Sequence, residues 1–580
     1  MPRNRFFHCL TLAAAFFLLW ETQASAYETR VVTDHANTPL FQLRFFDQGE
    51  EYGNVLSETE GEVSTWQLSA AQKDAVTQAV ELWADILGPG ANNAVPAAIN
   101  VGTMNEVNAD AISVANPTWH GTPWEGASGL AGALIGDQSM NPPAQIRIGK
   151  MNFSIPDIPS PLPTGNGIDL VGTLYHEMGH ALGISSLATM GEGYDGSLVY
   201  GFDTEISPWD RHLVDQYGVT PTTDMEVVRS EPETAPGADP VFTVGEMTES
   251  GVLFKGTHVS EVLAGALNGG LPIEGFEGDS LDLSHIELDR SLMSHQDYRN
   301  YQVFMEAELA ALQDIGYTID RKNFYGFSVY GDNLTLSNGQ GYFARNADGT
   351  AYLPGQPNTA AYGVGLHIYG SGNDITQTAD LLACGTAGTG IRVDGEANTL
   401  RIAPGVRVSA DGAYGTGLLL AYGKGQNVVS RGEIRATGTG GAGARFDFGG
   451  SLLGLDSGLT AEYRGSYIRS RTEAAEDESG NIVTQLYERY ELLDELKGPL
   501  AERFDVSGPL SGNAAAIYIS RNAWVKNINI VNGAALSGDI ISDWNPGNSD
   551  VQQVQAAANG DDLLTSLSFG RLAAGDGSAT

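Results

Sequence analysis

His176, Glu177 and His180 stand in the stretch HEMGHALGISS, and their types and spacing suit metal-assisted hydrolysis. On a helix, positions i and i+4 share one face. Both imidazoles can therefore turn a ring nitrogen toward one zinc ion, at about 2.0–2.1 Å. Glu177, beside the first of them, can reach a zinc-bound water without being a ligand itself. Zinc lowers the pKa of that water to about 7, and the carboxylate takes its proton as it attacks a carbonyl. A catalytic zinc takes three protein ligands. The position where a third often follows, three residues after Gly183, holds Ser186. Either these residues do not bind zinc, or the third ligand lies elsewhere in the chain.

An HExxH spacing also arises by chance, and a histidine on a helix is usually polar surface. Two features favour chemistry here. Six of the ten histidines fall between residues 176 and 295, and Gly183, one turn beyond His180, can release the chain sharply from a helix. Four downstream histidines compete for the third place: His212 in SPWDRHLVDQYG, His258 in FKGTHVSEVL, His285 in LDLSHIELDRSLMSH, and His295, which follows Met293 too closely to reach the same ion independently.

HEMGHALG, then FKGTHVSEVL, GLPIEG, LSHIELDRSLMS and AELAALQDIGY, resembles the leishmanolysin family of metzincin zinc peptidases over about residues 65–320. That family separates its second and third zinc histidines by an insertion. The third follows a serine, shortly before a Leu-Met turn that floors the metal. The resemblance implies His176, His180 and His285 as ligands of one Zn2+, Glu177 as the general base and Met293 as the Met-turn residue. His212 stays the alternative third ligand. The family's disulfides and cysteine-based latency segment have no counterpart here, and the step from His285 to Met293 is shorter. Where several metzincin groups carry a tyrosine that steadies the tetrahedral intermediate, two residues after the methionine, this chain has His295. Tyr298 and Tyr301 follow; His295 and Tyr298 are the candidates for that role, against simple packing beneath the turn.

The elements that must position these residues are legible as helical periods. Residues 69–87 read as a helix, with Ser69 and Gln72 as a capping box and Val76, Val80, Trp83 and Leu87 on one face. Residues 169–184 read as the motif helix, with Asp169 as N-cap and Val171, Leu174, Met178 and Ala181 inward. Residues 301–315 read as a third, burying Met305, Leu309 and Leu312 and stopped by Gly316. AAINVG and AQIRIGK read as strands. Near residue 320 the composition changes: 41 of the 73 glycines lie in the last 260 residues. Segments such as TGIRVDGEANTLRIAPGVRVSADG and AAAIYISRNAWVKNINIVNGAALSGDI read as strand-turn units at intervals of about twenty residues, the texture of a parallel β-helix or else of a sandwich. GEIRATGTGGAGARFDFG resembles the passenger solenoids of bacterial autotransporters. Residues 470–503 interrupt the pattern with a charged, helix-prone excursion. No run of amphipathic ten-residue strands, the mark of an autotransporter barrel, is legible toward the end.

The expected fold class is therefore multidomain: a signal peptide over 1–26, an α+β metzincin-like zinc peptidase domain over 27–320, and an all-β, right-handed parallel β-helix over 321–580. Arg3 and Arg5, the short apolar run from Leu10 to Trp20, and Ala24-Ser25-Ala26 carry the signal reading. No later segment is apolar enough to span a bilayer. A formal charge of −40 argues against nucleic acid and anionic membranes as partners. Of the two cysteines, only Cys384 would survive signal removal, so no internal disulfide is expected. The expected function is a secreted or surface-displayed zinc endopeptidase acting on a protein or peptide substrate, with a host or cell-surface ligand for the solenoid. The alternative is an autotransporter-type adhesin whose peptidase domain is inactive or serves only self-processing.

Overall fold

Ser69 caps the first helix, α1 (Ala70–Leu87): its hydroxyl accepts from the Gln72 backbone N–H, and the Gln72 side chain accepts from the Ser69 N–H. Two of the four N–H groups that a helix start leaves without partners are satisfied in this way. Val76, Val80, Trp83 and Leu87 are all buried, as the periodicity predicts. The structure is a computed structural model, and it describes residues 27–53, 62–88, 96–105, 109–113, 144–149, 153–154, 168–192, 198–202, 206–229, 240–246, 249–288, 291–294, 304–447, 471–476, 482–487, 498–520, 523–544 and 563–570. The signal-like segment 1–26 lies outside these.

Helix α1 shares one core with a five-stranded sheet. Its strands are β1 (Tyr27–Thr33), β2 (Pro39–Phe46), β3 (Ala97–Thr103), β4 (Ala109–Ser113) and β5 (Ala144–Ile148), in the order β1-β2-β3-β5-β4. The β2–β3 and β3–β5 pairs are parallel; β1–β2 and β4–β5 are antiparallel. Every residue of the central strand β3 is buried, as expected of a parallel strand covered on both faces.

The motif helix α2 (Leu170–Ala181) packs against α1, and the Trp83 indole N–H donates to the Tyr175 carbonyl at 3.0 Å. It is shorter than residues 169–184. Asp169, expected as N-cap, stands directly before the first residue of the helix, and its backbone also pairs, in the short strand Ile168–Asp169, with Phe153–Ser154. At the other end the Ile184 N–H bonds the Gly179 carbonyl and the Gly183 N–H bonds that of His180. With Gly183 at φ 111°, this is a Schellman cap.

The segment between Gly183 and His285 folds into small sheets. One has four strands: Ala188–Glu192, Leu198–Phe202, Glu226–Val228 and Phe242–Thr243. Another has three, Leu213–Val214, Leu253–Phe254 and Leu271–Pro272, followed in space by α3 (Thr257–Leu263). The expected helix start in FKGTHVSEVL is met: Asp314 accepts from the N–H groups of His258 and Val259 at the first turn of α3. Asp314 closes α4 (Glu306–Asp314), the helix expected over 301–315, whose Met305, Leu309 and Leu312 positions are buried. Residues 301–303 lie outside the described residues.

From Tyr325 onward the chain winds into three parallel walls of seven, seven and five strands, a β-helix-like architecture. In the first wall Leu366, Ile391, Leu418, Ala444 and Ile517 stand in register and line the interior. Gly326, Gly365, Gly390, Gly417 and Gly443 recur at the second position of successive strands. A Cβ on any of the first four would come within 2.3–2.6 Å of the next coil's carbonyl oxygen, so only glycine fits. The strands at Val364, Thr389, Thr416 and Ala442 start successive coils. That is a longer repeat than the twenty or so residues the text suggests, because turns of unequal length separate the walls. Within the charged excursion, Arg471–Glu476 and Ile482–Tyr487 form an antiparallel strand pair where composition favours a helix, and residues 477–481 and 488–497 lie outside the described residues.

The two parts share buried surface. The core around α1, α2 and α4 also contains Tyr325, Tyr330, Tyr362, Val364, Leu419 and Ala421. Among the described residues, no helix is long and apolar enough to cross a membrane.

Candidate metal centre

Ten of the twelve residues of α2 are buried; Glu177 and His180 are the two that are not. The helix therefore meets solvent only along the edge that carries the motif. His176 and His180, one turn apart, bring their Nε2 atoms to 3.1 Å, and the His285 Nε2 lies 3.2 Å from that of His176. Ligand atoms of the three histidines lie within 4.8 Å of one another. The long detour thus returns His285 to the two helical histidines.

Each ring is held by its other nitrogen. His176 Nδ1 faces the Leu292 carbonyl at 2.6 Å, and His180 Nδ1 faces the Ile184 carbonyl at 2.8 Å. His285 Nδ1 faces Asp282 Oδ2 at 2.7 Å. Carbonyls and carboxylates only accept, so every Nδ1 carries a proton, and in the neutral ring every Nε2 then presents a lone pair. Three lone pairs at this separation repel unless a cation lies among them. A tetrahedral ion with bonds of about 2.0–2.1 Å sets its ligands about 3.3–3.4 Å apart, close to the distances found. The donor set therefore fits a divalent metal. Imidazole suits zinc, copper, iron and nickel alike, and the geometry alone does not choose among them.

Local structure explains each placement. The Schellman cap of α2 delivers the Ile184 carbonyl that orients His180, so Gly183 serves the second histidine of the motif. Ser284 accepts from the Ser186 N–H at 3.0 Å, which ties the far end of the detour to the position where an adjacent ligand was sought. Asp210, fully buried, accepts from the N–H groups of Leu187 and Ser207 and folds the start of the detour. Burial pushes its carboxyl up, against those hydrogen bonds and one from Ser186. His285 is fixed in turn: the Glu274 N–H donates to its carbonyl, and the Ile286 N–H to that of Met293. At Asp282 burial is the largest influence and favours the neutral acid, but the hydrogen bonds from His285 and the Ser284 N–H, together with the charges of His285 and His180 when those rings are protonated, hold the carboxyl down at about 2.

Met293 is 1 % exposed and lies under α2. A Cβ at position 179 would fall 2.4 Å from its sulfur, so the glycine inside HEMGH is what admits Met293 against the helix. The Met293 N–H donates to Glu308 Oε1 at 2.7 Å. Glu308 is fully buried on α4, where burial pushes its carboxyl up despite the backbone N–H groups it accepts from.

His212, the alternative third ligand, is not part of the histidine group. Its ring stacks on Phe254 at 5.0 Å and its Nδ1 faces the Lys255 carbonyl. His258 lies at the start of α3. His295, Tyr298 and Tyr301 lie outside the described residues. Sequence reasoning missed Gly179, Glu274, Asp282 and Glu308. Asp282, three residues before His285, was the one with a local signal. Glu274 and Asp282 also form, with His285, a second group of closely spaced ligand atoms. Comparisons of this chain with protein-family models, with curated proteins and with solved structures return no match.

Proposed function

We propose that this chain is a secreted or surface-displayed zinc endopeptidase, a metzincin-like domain joined to a right-handed parallel β-helix. The observation that carries this reading is the convergence of three imidazole lone pairs beside Glu177, on the one edge of α2 that is open to solvent. Zinc bound there would polarise a scissile carbonyl and acidify a water. His176, His180 and His285 would hold it. Glu177 accepts the proton of the attacking water and returns it to the leaving amine. Met293 keeps the floor beneath the histidines dry and fixed. The signal-like start of the chain and its charge of −40 support export and a protein or peptide substrate rather than nucleic acid.

Metal content tests this reading. The chain purified from 27 onward is expected to hold one zinc, and His176→Ala or His285→Ala to hold none. Substoichiometric zinc in the wild type, unchanged by either substitution, would favour the adhesin reading.

A further inference from the structure

We propose that Asp282 is the positioning residue that makes His285 a ligand; the inference rests on the metal reading above. His176 and His180 ride on one helix, which fixes their separation. His285 comes from a loop, and something else must set its ring. Asp282 does so with both of its oxygens. Oδ2 accepts from His285 Nδ1 at 2.7 Å, and Oδ1 accepts from the Ser284 N–H at 2.8 Å. The first bond selects the tautomer whose Nε2 faces the other histidines. The second closes the turn that carries the ring there. Glu274, 1 % exposed, adds a second carboxylate 3.8 Å from the same Nδ1. A metal held by three neutral imidazoles keeps its whole charge, and the Asp282 and Glu274 carboxyl groups stand directly behind the loop ligand.

The geometry requires a carboxylate and not merely a polar side chain. An asparagine has one acceptor and one donor end. With its oxygen toward Ser284, its amide would donate to His285 Nδ1 and drive the ring proton to Nε2, removing the lone pair meant for the metal. Flipped, the amide would meet the Ser284 N–H donor to donor. Either way one of the two functions is lost. Outer carboxylates of this kind are typically worth 10–100-fold in metal affinity.

The test uses the full chain from 27 onward, with zinc affinity measured by competition against a chromophoric chelator. Asp282→Asn is expected to bind zinc 10–100-fold more weakly than wild type. Its cobalt(II) derivative should lose the intense visible bands of a four-coordinate site, and the ring 15N shifts of metal-free Asp282→Asn should report the His285 proton on Nε2, a tautomer change that a general loosening of the loop would not produce. Equal zinc affinity and an unchanged cobalt spectrum would overturn the proposal. Should Asp282→Asn not fold, the wild type still decides: the ring 15N shifts of His285 in the metal-free chain should report a proton on Nδ1, and a proton on Nε2 overturns the assignment. A wild type that takes up no more zinc than His176→Ala defeats the metal reading and this inference with it. A wild type that holds zinc beside an equally tight Asp282→Asn defeats this inference alone.

Discussion

At the scale of single residues, the site is a set of rings, each oriented by an acceptor behind it. His285→Ala is expected to abolish zinc retention and His212→Ala to leave it intact, because His212 spends its ring on Phe254 and the Lys255 carbonyl. Equal retention by the two variants in metal analysis would contradict this. Gly179→Ala should cost about 1–3 kcal/mol in denaturant unfolding, the usual penalty of an added methyl in a filled core, since its Cβ collides with Met293. An unchanged midpoint would show that Met293 does not pack there. The residues of this centre differ in how far a sequence betrays them. His176, Glu177 and His180 are legible because helical periodicity alone places them together. His285 is not, because no local rule fixes where the hundred or so residues of small sheets and loops after Gly183 return; the family resemblance, not the spacing, points to it. Gly179 and Glu308 have no local signal, since each acquires meaning only from what it touches.

Elements were legible in proportion to their period. Helices α1, α2 and α4 announce themselves by apolar spacing and capping residues. The start of α2 at Leu170 follows directly on Asp169, but its end at Ala181 falls short of 184, because Gly183 at φ 111° closes the helix in a Schellman cap. The solenoid was legible as texture, but its repeat was not, since the turns differ in length. The glycine ladder from Gly326 to Gly443 is the sharper marker. On the outer face of the first wall, His367, Arg392 and Leu419 stand in register and are buried. His367 Nε2 meets Asp394 at 2.7 Å. Burial lowers the pKa of His367 from its ordinary 6.5, outweighing that hydrogen bond. The depressed value gives the pH dependence its sign: the contribution of His367 to stability is full above pH 6.5 and is lost as the pH falls through the folded-state pKa. Melting temperature followed from pH 7 to pH 5 should therefore fall more in the wild type than in His367→Gln. Parallel curves would show that His367 does not titrate with unfolding.

At the scale of the whole molecule, the solenoid is part of the scaffold that holds the site. Tyr362 meets Tyr175, the residue before His176, with hydroxyls 3.2 Å apart. Tyr330 accepts from the Ala307 N–H, and Tyr325 donates to the Phe304 carbonyl, so the first coil grips α4, and α4 carries Glu308 to the Met293 turn. Tyr325, Tyr330, Tyr362, Val364 and Leu419 bury large side chains in the shared core. At about 1.5–3 kcal/mol for each such side chain, their loss is on the order of the whole stability of a domain, about 5–15 kcal/mol. A chain ending at residue 320 is expected to lack a cooperative unfolding transition by circular dichroism; a sharp transition near that of the full chain would refute the shared core. The composition shift near 320 shows in the text, but the contact across it does not, because the residues that make it look like ordinary core of either part. The central claim is that this assembly cleaves peptide bonds with Glu177 as base. Its most direct test is cleavage of a generic protein substrate by the purified, zinc-loaded chain and by Glu177→Ala. The substitution should lower kcat/KM by about 10²–10⁴-fold while zinc stays bound; equal cleavage by both proteins, or none by either, would rule out peptidase action through Glu177.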